Sequence, residues 1–477
     1  MSSFNTNSRA SHGPKSGRLP VSRGGAPSAQ AVLSAVSAAL LVFLASATQA
    51  DEPLAPAGKT WKRVSEFSPE ERARIDWRSE TPRDAEIPYV PAERFPFEAP
   101  YSAEEMGFRV MNFSHNARWS HTIADSMGAI TKSGYLSQSV SVLRMSIISE
   151  ELGVPGQLAT APGKGFARMA YYYTHPPKNN DMQGVWVYRR TDKNNPTRID
   201  SFLYTPSLRR VRRLPQPRRD TPSPGHVRSI DDILGRDAWE FSWRIIGSDV
   251  LYETVRFPVT RPTLTFSRSD GAFYDVPTAD LQLMGDSYPF YSDDGGVECY
   301  VLVAEPRKDW LPNYAVAKLV YWVDKHYFYP LRLEQYAAEE KPLTVQVRMA
   351  KQENPALGPF GYSNLLSVYW DPALDLITYS LHDAHRLVEW TDGEKAVMFS
   401  PDFMRRRWLK YRQPSHALVD AAEEFYLRPS LEPGKFPEER AIRLPSDLEE
   451  RIRAQDAAGH LVFATSAKTG GNGDAPD

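Results

Sequence analysis

Two short stretches hold the residue types that proton-transfer or nucleophilic chemistry uses. "MNFSHNARWSHTIAD" gathers His115, His121 and Asp125 with Ser114 and Ser120. Imidazole titrates near neutrality and a carboxylate can orient it, so this density fits an acid–base site. It also fits a helix end tied to a sheet by hydrogen bonds, which is the reading we favour. "SLHDAHRLVEW" holds His382 and His385. That spacing puts both on one face of a helix, as a metal pair needs, but on opposite faces of a strand. The neighbourhood reads as a strand end or turn, so no metal site is expected.

Other matches to reactive motifs are partial. "GDSYP" (285–289) lacks the second glycine and the following helix of a nucleophile elbow, so Ser287 reads as a turn residue. "GKGFAR" (163–168) opens like a dinucleotide loop but lacks the third glycine and runs into a strand. "SDDGG" (292–296) lacks calcium-loop spacing and reads as a hairpin tip. The expectation is a non-enzyme with no catalytic residue, cofactor or metal.

Composition bounds the job further. The chain has 477 residues and a net charge of −2, which argues against a general nucleic-acid binder. Aromatics reach 12%, with 23 Tyr and 11 Trp, which suits broad buried sheet surfaces. Arg9, Lys15, Arg18 and Arg23 precede the apolar run "AVLSAVSAALLVFLASA" (31–47), and small residues Thr48 and Ala50 follow. This is the pattern of an export signal over 1–50, cleaved near Ala50. The apolar run is short for a bilayer span, which needs about 20 residues. Cleavage removes four basic residues and no acid, leaving a more acidic mature chain. The lone Cys299 sits in "VECYVLVAE" with Val297, Val301 and Val303 on one strand face, a buried core position.

The elements that must position these residues are mostly strands. Residues 51–101 form a proline-rich arm with one short helix, capped by Ser68 with Glu71. Residues 102–130 are expected to be mainly helical, capped by Ser102 with Glu105, and "HTIADSMGAITKSGYLSQSVSVL" (121–143) then shifts toward turn and strand. From about 164, roughly a dozen apolar segments follow each other across short Pro, Gly, Asn or Asp breaks. That spacing predicts an antiparallel meander, mainly β within an α+β class. A sheet this wide curls, giving a half-barrel over 102–412 with helices on its concave side. A helical extension over 413–463 and a disordered tail over 464–477 complete the chain.

Alternation puts Trp186 and Tyr188 on one strand face, and Phe202 and Tyr204 on one face of another, near Tyr171 and Tyr173. They are either core packing or the wall of an apolar ligand cavity. The stretch "SFLYTPSLRRVRRLP" (201–215) reads as a hairpin turning at Thr205-Pro206-Ser207. Arg209 and Arg213 share one face with Val211, while Arg210 and Arg212 share the other. One pair should point inward, and a buried unpaired charge costs several kcal/mol. Asp231, Asp232 and Asp237 are candidate partners for structural ion pairs. Arg210 and Arg212 are alternatively candidates for an anionic headgroup at the cavity mouth.

"FLYTPSLRRVRRLP" and "DDILGRDAWEFSWRIIGSDVLYE", with "WSHTIADSMGAITKSGYLSQ" and "YFYPLRLEQYA", resemble a family over about 105–412. It is the large uncharacterised family of exported Gram-negative proteins with a LolA-like, outer-membrane lipoprotein-sorting-like fold. Where that family shows "FNG" after the aspartates, this chain has "LGR" (234–236). The resemblance implies an unclosed antiparallel half-barrel of LolA type and periplasmic residence, associated with the outer membrane in some members. It implies partner transporters of the RND type or outer-membrane proteins, and offers no catalytic residues. The functional expectation is a carrier or chaperone for a lipid or other hydrophobic ligand. The alternative is a non-catalytic accessory that docks a membrane partner.

Overall fold

The computed structural model describes residues 60–77 and 99–406. Residues 112–119, 133–135, 148–162, 253–262, 268–272, 278–281, 353–361 and 388–391 and six stretches of one or two residues are excepted. The expected export signal, the C-terminal helices over 413–463 and the tail lie outside the described residues, as do Ser114, His115 and Ser287.

Strands dominate, as the short alternating segments predict. In chain order they are β1 (Lys62–Arg63), β2 (Ile75–Asp76), β3 (Tyr101–Ser102), β4 (His121–Ile130), β5 (Leu136–Ile147) and β6 (Gly165–His175). Then come β7 (Gln183–Arg189), β8 (Ile199–Thr205), β9 (Arg210–Leu214), β10 (Phe241–Leu251), β11 (Thr263–Ser267) and β12 (Phe273–Pro277). The last are β13 (Val297–Pro306), β14 (Lys318–Asp324), β15 (Pro330–Tyr336), β16 (Pro342–Gln352), β17 (Tyr362–Asp371) and β18 (Leu376–Leu387). Helices are short: α1 (Pro69–Ala73), α2 (Ala103–Arg109), α3 (Ile230–Leu234), α4 (Asp392–Met398) and α5 (Pro401–Arg406). Ser68 and Ser102 cap α1 and α2 in boxes with Glu71 and Glu105, as their spacing predicts.

Of the helix expected over 102–130, the described residues hold α2. Residues 121–130 form β4 instead, because β18 and β5 pair with it along its whole length. Long-range ladder bonds on both sides outweigh local helix preference. Gly128 fits this seam for a steric reason: a Cβ there would lie 2.3 Å from the Tyr379 ring.

Fourteen strands form one sheet in the order β1–β10–β13–β14–β15–β16–β17–β18–β4–β5–β6–β7–β8–β9. Two consecutive meanders, β4–β9 and β13–β18, meet where β4 pairs with β18. The order ends on β1 and β9, so the sheet is unclosed.

Pairing registers define two faces. One carries Trp243, Leu302, Tyr321 and Leu333 toward one end and Met169, Trp186 and Tyr188 toward the other. Laid flat, β8 and β13 would stand about 48 Å apart, ten strand spacings of ~4.8 Å. Yet the Asp231 carboxylate accepts from Arg198, which leads into β8, at 3.3 Å, and from Tyr314, between β13 and β14, at 2.6 Å. The sheet therefore curls until its two ends meet across one carboxylate, with this face inside.

The inner face is filled from two directions. Phe67, Ile75, Tyr101, Met106 and Phe108 pack on Phe241, Trp243, Leu302 and Tyr321 at one end. At the other, Ile230 and Leu234 of α3 pack on Phe166, Met169, Tyr188 and Ile199. The outer face buries Val301, Val303, Trp322, Val347, Val368 and Tyr379. Cys299 lies in the same layer, fully buried. Met398, Phe399 and Met404 cover the outside of β6–β8 against Tyr172, Val185 and Tyr204.

Candidate functional site: a clasp and a polar seat on the inner face

The chain leaves β9 at one end of the sheet and re-enters as β10 near the other. Residues 215–240 must therefore cross the mouth of the curl as a strap. Its middle touches the centre of the inner face, where the Val227 N–H donates to Thr378 Oγ1 at 3.3 Å. Ser229 then caps α3 in a box with Asp232, and Gly235 ends it at φ 78. That backbone suits glycine, so the glycine of "LGR" has a local reason. The arginine after it is buried.

Arg236 belongs to a clasp of four arginines and four carboxylates. Arg190 meets Asp237 at 2.7 Å, and Arg198 reaches Asp231 and Asp237 at 3.3 and 3.5 Å. Arg219 bridges Asp231 at 2.8 Å and grips both Glu240 oxygens. Arg236 meets Asp232 at 3.0 Å and donates to Tyr314 Oη at 2.9 Å. Thr191 adds its N–H and hydroxyl to Asp237, each at 2.8 Å, and the Gln335 amide donates to Asp232 at 2.8 Å. Arg190, Thr191 and Arg198 come from the β7–β8 end, Tyr314 and Gln335 from the β13–β15 end, and the rest from the strap. Opposite charges in equal number make burial tolerable. Burial pushes the Asp237 carboxyl up, but Arg198 and Arg190 beside it, with Thr191, outweigh that and hold it at about 2. At the rim, Lys193 of the β7–β8 turn bridges Asp309 directly at 2.5 Å.

Beneath the strap, the inner face turns polar at β16–β18, β4 and β5. Gln346, Arg348, Ser367, Thr378, Ser380, Asp125 and Ser141 are all buried. The Ser380 hydroxyl donates to Asp125 at 2.6 Å and lies 3.4 Å from His382 Nε2. His382 Nδ1 lies 2.9 Å from the Asn364 carbonyl, which only accepts, so Nδ1 carries the proton. The serine proton is thus committed to the carboxylate instead of the imidazole. Asn364, His382, Ser380 and Asp125 form a continuous hydrogen-bonded seat. His226 of the strap faces this region; burial lowers its pKa, Arg228 adds to that, and Asp125 opposes it. Among the described residues no group of three His, Cys, Asp or Glu side chains is placed to hold a metal.

The sequence-predicted residues separate. Trp186 and Tyr188 lie on the inner face, in edge contact with each other at 6.1 Å and beside Tyr171 at 5.7 Å from Trp186. Phe202 and Tyr204 lie on the outer face beneath Met398 and Met404, because β8 pairs Ser201, not Phe202, with Trp186. The four do not form one wall. The hairpin arginines also need correction: β9 is an edge strand, and Arg209, Arg210, Arg212 and Arg213 are all exposed. Arg210 and Arg212 take the inner-face side with Leu203 and Arg213 the outer side with Phe202, but an edge reaches water on both faces, so neither side buries a charge. Arg213 bonds Asp200, which Arg189 also holds at 2.7 Å. Asp231 and Asp232 are answered by Arg198, Arg219 and Arg236 instead. The useful signals were sparser: Arg236 four residues after Asp232, and Arg190 and Arg198 flanking one turn.

Fold and site together define a mainly antiparallel protein whose large unclosed sheet is clasped by a charged strap. The chain belongs to the family described as "Protein of unknown function (DUF1329)", whose model matches residues 86–358. This agrees with the resemblance carried by the arginine hairpin. Among solved structures, a domain assigned to outer membrane lipoprotein sorting, from Vibrio parahaemolyticus, is 13% identical with a TM-score of 0.42. It covers 64% of this chain and 98% of its own. A DUF1329 family protein from Desulfovibrio piger is 12% identical, with a TM-score of 0.42 and coverage of 63% and 97%. A LolA superfamily protein from Nitrosomonas europaea is 12% identical, with a TM-score of 0.34 and the same coverage. A comparison with curated proteins returns no match.

Proposed function

We propose that the protein is a non-catalytic periplasmic carrier that holds an amphipathic, largely hydrophobic molecule inside the curled sheet. One observation carries this reading. The inner face places an aromatic row, Tyr171, Tyr173, Trp186 and Tyr188, beside a buried polar seat, Asp125, Ser380 and His382. An apolar tail matches the first and a polar head the second. The mouth above them is closed by a strap held through side chains, not by strand pairing, so it can part without breaking the sheet.

The test is extraction and mass spectrometry of protein purified from periplasm, with uptake of a fluorescent fatty acid by the stripped protein. Bound or exchangeable lipid is expected, and Trp186→Ala should weaken uptake while Phe202→Ala leaves it unchanged. Finding no lipid and no uptake would show the interior to be a filled core, and return the protein to a docking role.

A further inference from the structure

The clasp uses neither β9 nor the turn before it, and their charge has no internal use on the described surface. Residues 205–214 hold four arginines and no acid, in a chain whose net charge is −2. Asp200 answers Arg213. Arg209, Arg210 and Arg212 have no ion-pair partner among the described residues. Arg210 and Arg212 pair with Thr205 and Leu203 and share one side of a two-stranded ribbon, and Arg209 stands in the turn at its tip. Leu208 at the tip is 46% exposed and Leu214 is 37% exposed. Arg209 stands at φ 50, a backbone position where glycine is the unstrained choice.

We propose that this hairpin docks the protein, tip first, onto an anionic lipid surface. A ribbon with three unanswered cations at its tip and along one side, and with exposed leucines at its apex and base, fits a headgroup layer, which offers phosphates around it and an apolar boundary below. An acidic protein edge would answer the cations but would leave the exposed Leu208 at the tip without an apolar partner. The acidic remainder of the chain is repelled by the same surface, which fixes the orientation. The proposal does not depend on what the interior holds.

The test is co-sedimentation of the full chain with vesicles of phosphatidylcholine alone or mixed with phosphatidylglycerol. Binding is expected to the mixed vesicles only and to fall with added salt. The triple variant Arg209→Ala, Arg210→Ala, Arg212→Ala should lose roughly a hundredfold in partition, about tenfold or less per arginine. A charge-matched control, Lys132→Ala, Lys178→Ala, Lys341→Ala, should bind like the parent. Cys299 is buried, so Leu208→Cys can carry an environment-sensitive dye at the tip alone, and its emission should shift to the blue on mixed vesicles. Equal loss in the control, absence of the dye shift, or no vesicle binding by a folded parent overturns the proposal. A folded parent that binds vesicles yet takes up no fatty acid upholds it while refuting the carrier reading.

Discussion

At the residue scale, where an arginine sits decides what it is worth. Arg198 is buried among three carboxylates, and removing it leaves buried charge unanswered. Arg198→Ala should cost about 3–5 kcal/mol by chemical denaturation. Arg213 is largely exposed beside Asp200, so Arg213→Ala should cost less than about 1 kcal/mol. Two aspartates give opposite pH dependences. Asp237 sits at about 2 when folded, below the ~3.9 of an unfolded aspartate. Its stabilisation, on the order of 2 kcal/mol, is complete above about pH 4 and fades as pH falls toward about 2. Asp324 runs the other way. Burial pushes it up to about 6, against the N–H groups of Tyr327, Tyr329 and His326. The folded chain keeps a proton that the unfolded chain has lost, so this contribution falls as pH rises from about 4 to 6. Asp324→Asn should flatten that part of the stability–pH curve; an unchanged slope in denaturant titrations at several pH values would refute the assignment.

At the element scale, most strands were legible because their alternation and turn residues are local. Val297, Cys299, Val301 and Val303 sit on one buried face as their spacing implies. Two things were not legible. β4 reads locally as a helical stretch giving way to turn and strand, and it becomes a full strand through partners supplied by β5 and β18. The relative face of Trp186 and Phe202 depends on β7–β8 register, which alternation within each strand leaves open. The β4–β18 seam also yields a steric prediction. Gly128→Ala forces a methyl onto the Tyr379 ring and should cost about 1–3 kcal/mol, read as a lower denaturation midpoint. A neutral result would mean that the ring moves aside freely.

At the scale of the whole molecule, the clasp couples distant parts of one sheet. Arg236→Gln removes a buried charge that joins the strap to Tyr314 and Gln335. Amide exchange should then speed up together in β7–β9 and β13–β15, with β16–β18 less affected. Faster exchange at one end alone would show that the strap is anchored independently on each side. The acids of this clasp were visible in "DDILGRDAWE", but their arginine partners lie up to 47 residues away, as Arg190 does from Asp237. Nothing in the spacing of such distant residues announces that they meet.

The seam between β4 and β18 also bears on biogenesis. Ile130 pairs with Ile377, so β4 is synthesised long before the strand that completes its ladder. At about 5–20 residues per second, the wait lasts roughly 10–50 s. Throughout it, one side of the first meander is an open, partly apolar edge able to recruit a strand from any nearby chain. Newly made protein therefore passes through an aggregation-prone window set by connectivity, and its yield should depend on holdase capacity more than on the stability of the finished sheet.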